Sequence, residues 1–202
     1  MTGAARSSGA LYLLFFEVLL GEFISMSLLI PAQSAFGLLT ETAARLPAIL
    51  ILIPPVLQLR GNLFGVLCGR LSTALHLGTI EPRFRGNSSA FKSTLLGIFL
   101  LATLSSIWSG LLGYVMGTLF DVASPSPIWY LSLFFYLAIA FLSAMLATAV
   151  TVPITLAAAF QAYKRGLDPD VLLYPMMSSV SDSLTGFSIV VVARFMNLIL
   201  VV

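Results

Sequence analysis

The chain has 202 residues, of which 59% are hydrophobic and only 9% charged, with a mean hydropathy of +1.04. Soluble domains carry about 25% charged residues, so this composition excludes one, and the long unbroken apolar runs exclude a transmembrane β-barrel. The net charge of +2 comes from scattered basic residues, which leaves no patch for nucleic acid; one cysteine and one histidine leave no disulfide within the chain and no zinc triad.

Five apolar spans follow in chain order. The first is expected over about 10–30, too long for a signal-peptide core and carrying Glu17 and Glu22, so it reads as a retained membrane helix. Glu17, Gly21 and Ser25 share one helical face and Glu22 lies just beside it. These carboxylates are candidates for a second cation or proton site, or for ion pairs with Arg60 or Arg70.

The second span, about 46–77, contains Pro54-Pro55, whose missing donors predict a kinked or split helix. Gln58, Arg60 and Asn62 follow at once, and Gly61, Gly65 and Gly69 recur every four residues with Thr73 on the same face. The third span, about 91–119, follows a possible Ser88 or Ser89 cap and offers Gly113 and Gly117 after Ser106, Ser109 and Gly110. Such small residues let helix backbones approach, so these glycines predict packing faces within or between subunits. The fourth span, about 128–163, has a stripe of Ala144, Thr148, Thr151 and Thr155 and a proline at 153. Its hydroxyls line a wet path or bond to their own helix carbonyls.

The fifth span, about 171–202, holds Asp182 in its middle. A charged side chain at the bilayer centre costs about 2.5–3.5 kcal/mol on insertion scales, so it needs a partner, an ion or water. Pro175, Ser178, Ser179, Asp182, Thr185 and Gly186 fall on one helical face, predicting an oxygen-bearing stripe. The competing reading pairs Asp182 with Arg60, Arg70 or Arg194. Carboxylate, hydroxyl and amide oxygens suit hard cations, and no phosphate loop, metalloprotease helix or nucleophile elbow is present, so no enzyme is expected. Basic residues at Arg6, at Arg83, Arg85 and Lys92, and at Lys164 and Arg165 place the N-terminus inside and the C-terminus outside. The expectation is an all-α, five-helix, multi-pass protein of the cell membrane, one domain over 1–202.

Two segments together resemble the MgtE family of divalent-cation transporters and its eukaryotic solute-carrier relatives. One is Pro54-Pro55-Val56-Leu57-Gln58-Leu59-Arg60-Gly61-Asn62-Leu63 running on to Arg70-Leu71-Ser72-Thr73; the other is Asp168-Pro169-Asp170 followed by Pro175 and Asp182. The resemblance implies magnesium transport by a two-fold homodimer in the bilayer, with the ion path at the interface as channel or cation-coupled exchanger. It makes Asp182 the principal metal residue and brings in Asn62 from the second helix. Ser178 and Ser179 join the candidate metal site, Mg2+ is the transported ion, and Na+ or H+ is a candidate coupling ion. Bacterial members carry regulatory domains ahead of the membrane part, and few residues precede the first span here. The alternative is a non-transporting assembly subunit with Asp182 in a structural ion pair.

Overall fold

A computed structural model describes the backbone of residues 2–122, 128–166 and 169–200; side chains are undescribed at 2–11, 13, 14, 17, 32, 45, 169–172, 197, 199 and 200. Among the described residues the chain is all helical: α1 (Thr2–Arg45), α2 (Ala48–His76), α3 (Ser89–Leu119), α4 (Trp129–Lys164) and α5 (Pro169–Leu200). All five are long and apolar enough to cross a membrane, with candidate spans at Val18–Ala44, Ala48–His76, Ser89–Leu119, Trp129–Lys164 and Leu173–Met196.

Four of the five helices start and stop near the expected residues because local chemistry marks their ends. Ser88 caps α3, its hydroxyl accepting from the Phe91 N–H at 3.4 Å. Gly78 and Gly166, at φ +67° and +72°, turn the chain out of α2 and α4 in the left-handed region where other side chains are strained. The α2–α3 connection is held by Asn87, which donates to the Glu81 and Arg83 carbonyls at 2.8 Å each.

The first span differs from expectation. Helix α1 runs 44 residues, through Pro31 to Arg45 and so past the end of the expected span, and among the described residues its apolar window is Val18–Ala44. The missing Pro31 N–H costs the helix only its bond to the Ser27 carbonyl, and the helix continues past it; Ser34 Oγ donates separately to the Pro31 carbonyl at 2.6 Å. The described side chains from Tyr12 to Leu20 are exposed, and burial begins at Gly21. The double proline does not split α2, which stays one helix across Pro54 and Pro55.

Helix α5 is the hub. It packs against α1, α2 and α4, and its span is more buried than the other four. Two apolar clusters hold the bundle. One joins the second half of α2 (Leu63–Leu75), the start of α3, the end of α4 and Leu173 and Met177 of α5. The other joins the end of α1, the start of α2 (Ala48–Val56), the start of α4 and Ile189–Met196 of α5. At about 25 cal/mol per Å² of apolar area removed from contact with water, and less against lipid, these clusters fix helix positions mainly by packing.

Between the two clusters lies a belt of buried polar groups. It contains Ser25, Arg60, Ser106, Ser109, Ser143, Thr148, Thr151, Ser179, Ser181, Ser183 and Thr185. Along α2, α4 and α5 the buried residues thus change from apolar to polar and back, and Asp182 lies within the polar stretch of α5.

Candidate metal-ion site

Asp182 lies thirteen residues past Pro169 in the 32-residue helix α5, or ~20 Å along it at 1.5 Å per residue. It is therefore close to mid-depth. Its side chain is partly exposed on the surface of the single subunit. Among the described residues it makes no hydrogen bond and no ion pair: Arg60 bonds elsewhere, Arg194 meets Glu41 at 3.4 Å, and exposed Arg70 has no bond to it. Among the described residues, the ion pair that would make Asp182 purely structural is not formed.

The oxygen-bearing stripe divides into two sides. Pro175, Ser178 and Asp182 are partly exposed together. Ser179 and Gly186 turn instead toward α1. Ser179 Oγ lies 2.6 Å from Ser25 Oγ, whose hydroxyl also reaches the Pro175 carbonyl at 2.9 Å. A Cβ on Gly186 would meet Ala35 Cβ at 3.0 Å, and Ser183 Oγ reaches the Leu28 carbonyl at 3.4 Å. Thr185 is fully buried, and its hydroxyl has no partner among the described residues, as is true of Ser181.

Helix α2 brings a second open face to the same side. Pro54, Gln58 and Asn62 are exposed, and Gly61, Gly65 and Gly69 are partly so, opposite the buried Arg60. Tyr174, one turn before Ser178, lays its ring over this face: a Cβ on Gly65 would meet the ring at 3.0 Å, whereas one on Gly61 would meet nothing within 4 Å. On this face Gly61 is thus open and Gly65 is covered by Tyr174. The α3 glycines are different. A Cβ on Gly113 would strike Leu52 and Tyr136, one on Gly117 the Tyr136 hydroxyl, and one on Gly110 the Leu137 backbone at 2.9 Å. Those residues are closed within the subunit.

The α4 hydroxyls bond to their own helix: Thr148 to the Ala144 carbonyl at 2.7 Å, Thr151 to Ala147 at 2.7 Å and Thr155 to Thr151 at 2.9 Å. Arg60 is 3% exposed, and its guanidinium donates to Thr148 Oγ1 at 2.6 Å and to the Ala144 carbonyl. It takes neither Asp182 nor Glu22 as partner, and Glu22 is exposed on α1. The Glu17 side chain, and Asp168 with the side chain of Asp170, lie outside the described residues. Sequence reasoning identified the α2 and α5 motifs but missed the Ser25–Ser179 bond and the polar belt. The spacing of Ser25 four residues past Gly21 was the only signal for the former. Among the described residues no three His, Cys, Asp or Glu side chains gather to hold a metal within one subunit.

Comparison with known proteins gives the family. Residues 53–193 match the family model MgtE, described as a divalent cation transporter. The chain is similar to "Solute carrier family 41 member 3" of Rattus norvegicus, 29% identical over 158 residues, which is 74% of this chain and 32% of that protein. The chain therefore spans about a third of the length of the curated relative it matches. No solved structure matches. The matched region contains the α2 motif, Asp182 and the polar belt apart from Ser25, and this multi-pass membrane chain belongs to the MgtE family of divalent cation transporters.

Proposed function

We propose that two copies of this chain pair about a two-fold axis and carry Mg2+ across the cell membrane along the seam where the open faces of α2 and α5 meet. One observation carries this reading: Asp182 is a mid-depth carboxylate without a partner among the described residues, on the side of α5 that Tyr174 shares with the exposed Asn62 stripe. Lipid would not solvate such a group, whereas a symmetry mate and a cation would. Two Asp182 side chains repel each other, and a divalent ion between them removes that repulsion. Mg2+ keeps several of its waters, so one carboxylate from each subunit is sufficient.

In this reading Ser178 and the Asn62 amide hold the ion's waters along the path. Ser179, bonded to Ser25, fixes the setting of α5 against α1. The exposed basic residues Arg83, Arg85, Lys164 and Arg165 face the cytoplasm, which puts the N-terminus inside. The test is uptake in a strain without its own magnesium transport. The chain should restore growth in low magnesium, and a well-expressed Asp182→Ala variant should not. Conduction and exchange are separated in vesicles: flux that follows a Na+ or H+ gradient at fixed voltage marks exchange, with Glu22 and Glu17 as the first residues to replace.

A further inference from the structure

Arg60 poses a charge problem that the transport path does not solve. A buried charge is tolerated when it is paired, and leaving one uncompensated costs several kcal/mol. Both described bonds of Arg60 go to neutral oxygens, the Thr148 hydroxyl and the Ala144 carbonyl. A guanidinium has five N–H donors, so others remain. Arginine stays charged where lysine would neutralise.

A small cavity adjoins this guanidinium. It is lined by Arg60 and Leu59 of α2, by Ser105, Ser106 and Ser109 of α3, and by Ala144 of α4. Its free volume of about 10 Å³ is room for roughly one water-sized particle. That space suits a single small particle better than a phosphate or carboxylate group. Ser109 is fully buried, and its hydroxyl has no partner among the described residues. The wall thus holds a fixed positive charge, an unused O–H donor and no carboxylate. Water would satisfy the donor but leave the charge; a monatomic anion satisfies both.

We propose that the α2–α3–α4 cavity binds one halide, chloride in the cell, as the counter-ion of Arg60, held by the guanidinium and by the Ser109 hydroxyl. The site lies on the side of α2 away from Asn62, so the anion stays off the cation path. It neutralises a charge that would otherwise raise the electrostatic barrier to Mg2+ at the same depth.

The test uses the purified full chain in detergent at constant ionic strength and magnesium, with chloride or bromide replacing gluconate. Unfolding followed by tryptophan fluorescence should shift to higher temperature with rising halide and saturate. Ser109→Ala should keep the fold and need several-fold more halide for the same shift. Arg60→Met should lose the halide response, and if that variant does not fold, Ser109→Ala carries the test. Crystals grown in bromide should show anomalous density between Arg60 and Ser109. Equal unfolding temperatures in chloride and gluconate, an unchanged half-saturating concentration in Ser109→Ala, or bromide only elsewhere would overturn the assignment in favour of water.

Discussion

The ring of Tyr174 occupies the space beside Gly65, so close that a Cβ there would come within 3.0 Å of it. This contact joins the two motifs of the family across two helices. It sets the α2 stripe of Pro54, Gln58 and Asn62 beside the α5 stripe of Ser178 and Asp182. Gly65→Leu should push the ring aside and separate the two stripes. Because Tyr174 is exposed, the cost in stability should stay at the low end of the roughly 1–3 kcal/mol typical of overpacking. Transport should fall much further than expression does. Wild-type uptake by a Gly65→Leu protein would show that the contact has no role in the path.

The glycines of α2 and α3 should respond in opposite ways. Gly110→Ala drives a methyl into the Leu137 backbone, which cannot rotate away, and should destabilise the subunit by about 1–3 kcal/mol. Gly61→Ala meets nothing and gains helix propensity, so it should be neutral or stabilising by up to about 1 kcal/mol. Thermal unfolding of the two variants in the same detergent measures the difference. Equal loss in both would mean that Gly61 is as enclosed as Gly110.

A cysteine on the open face reports on pairing. In a Cys68→Ser background, Asn62→Cys or Ser178→Cys should cross-link between copies in the membrane under mild oxidation. Leu104→Cys, exposed on α3 away from that face, should not. Gly61→Leu should lower the cross-linked fraction without unfolding the subunit. Cross-linking through Leu104→Cys alone would put the dimer seam elsewhere.

The bond between Ser25 and Ser179 gives a third contrast. A double-mutant cycle with alanine at both positions should show coupling of about 0.6 kcal/mol, the average for hydrogen bonds between membrane helices. Ser178→Ala should show no coupling to Ser25→Ala, because Ser178 lies on the open side. A coupling for Ser178 as large as for Ser179 would mean that the two serines share one role.

The fold was legible in the sequence where local chemistry acts. Ser88, Gly78 and Gly166 stop and start helices by capping and by backbone conformation, and these signals lie within a few residues of the ends they set. The first helix runs beyond the expected end near residue 30, through Pro31 and the polar run Thr40-Glu41-Thr42. In the structure Thr42 Oγ1 donates to the Leu38 carbonyl at 2.7 Å and the helix continues. The Asp182 stripe was legible as a helical face, but its division was not. Which half turns to α1 depends on a neighbour about 150 positions away. The commoner role of hydroxyls like those of the α4 threonines is to bond their own helix carbonyls, and that is the arrangement they take. Arg60 invited pairing with a carboxylate; its partners are instead Thr148 and Ala144, set by the crossing of α2 and α4.

The central claim is that Asp182 binds the ion in transit, and Mg2+ flux into proteoliposomes tests it most directly. Wild-type protein should admit Mg2+ at a rate above protein-free vesicles. Asp182→Ala should unfold at the wild-type temperature or above, since no bond among the described residues is lost, and should carry no flux over background. Undiminished Mg2+ entry through a folded Asp182→Ala protein would contradict the account.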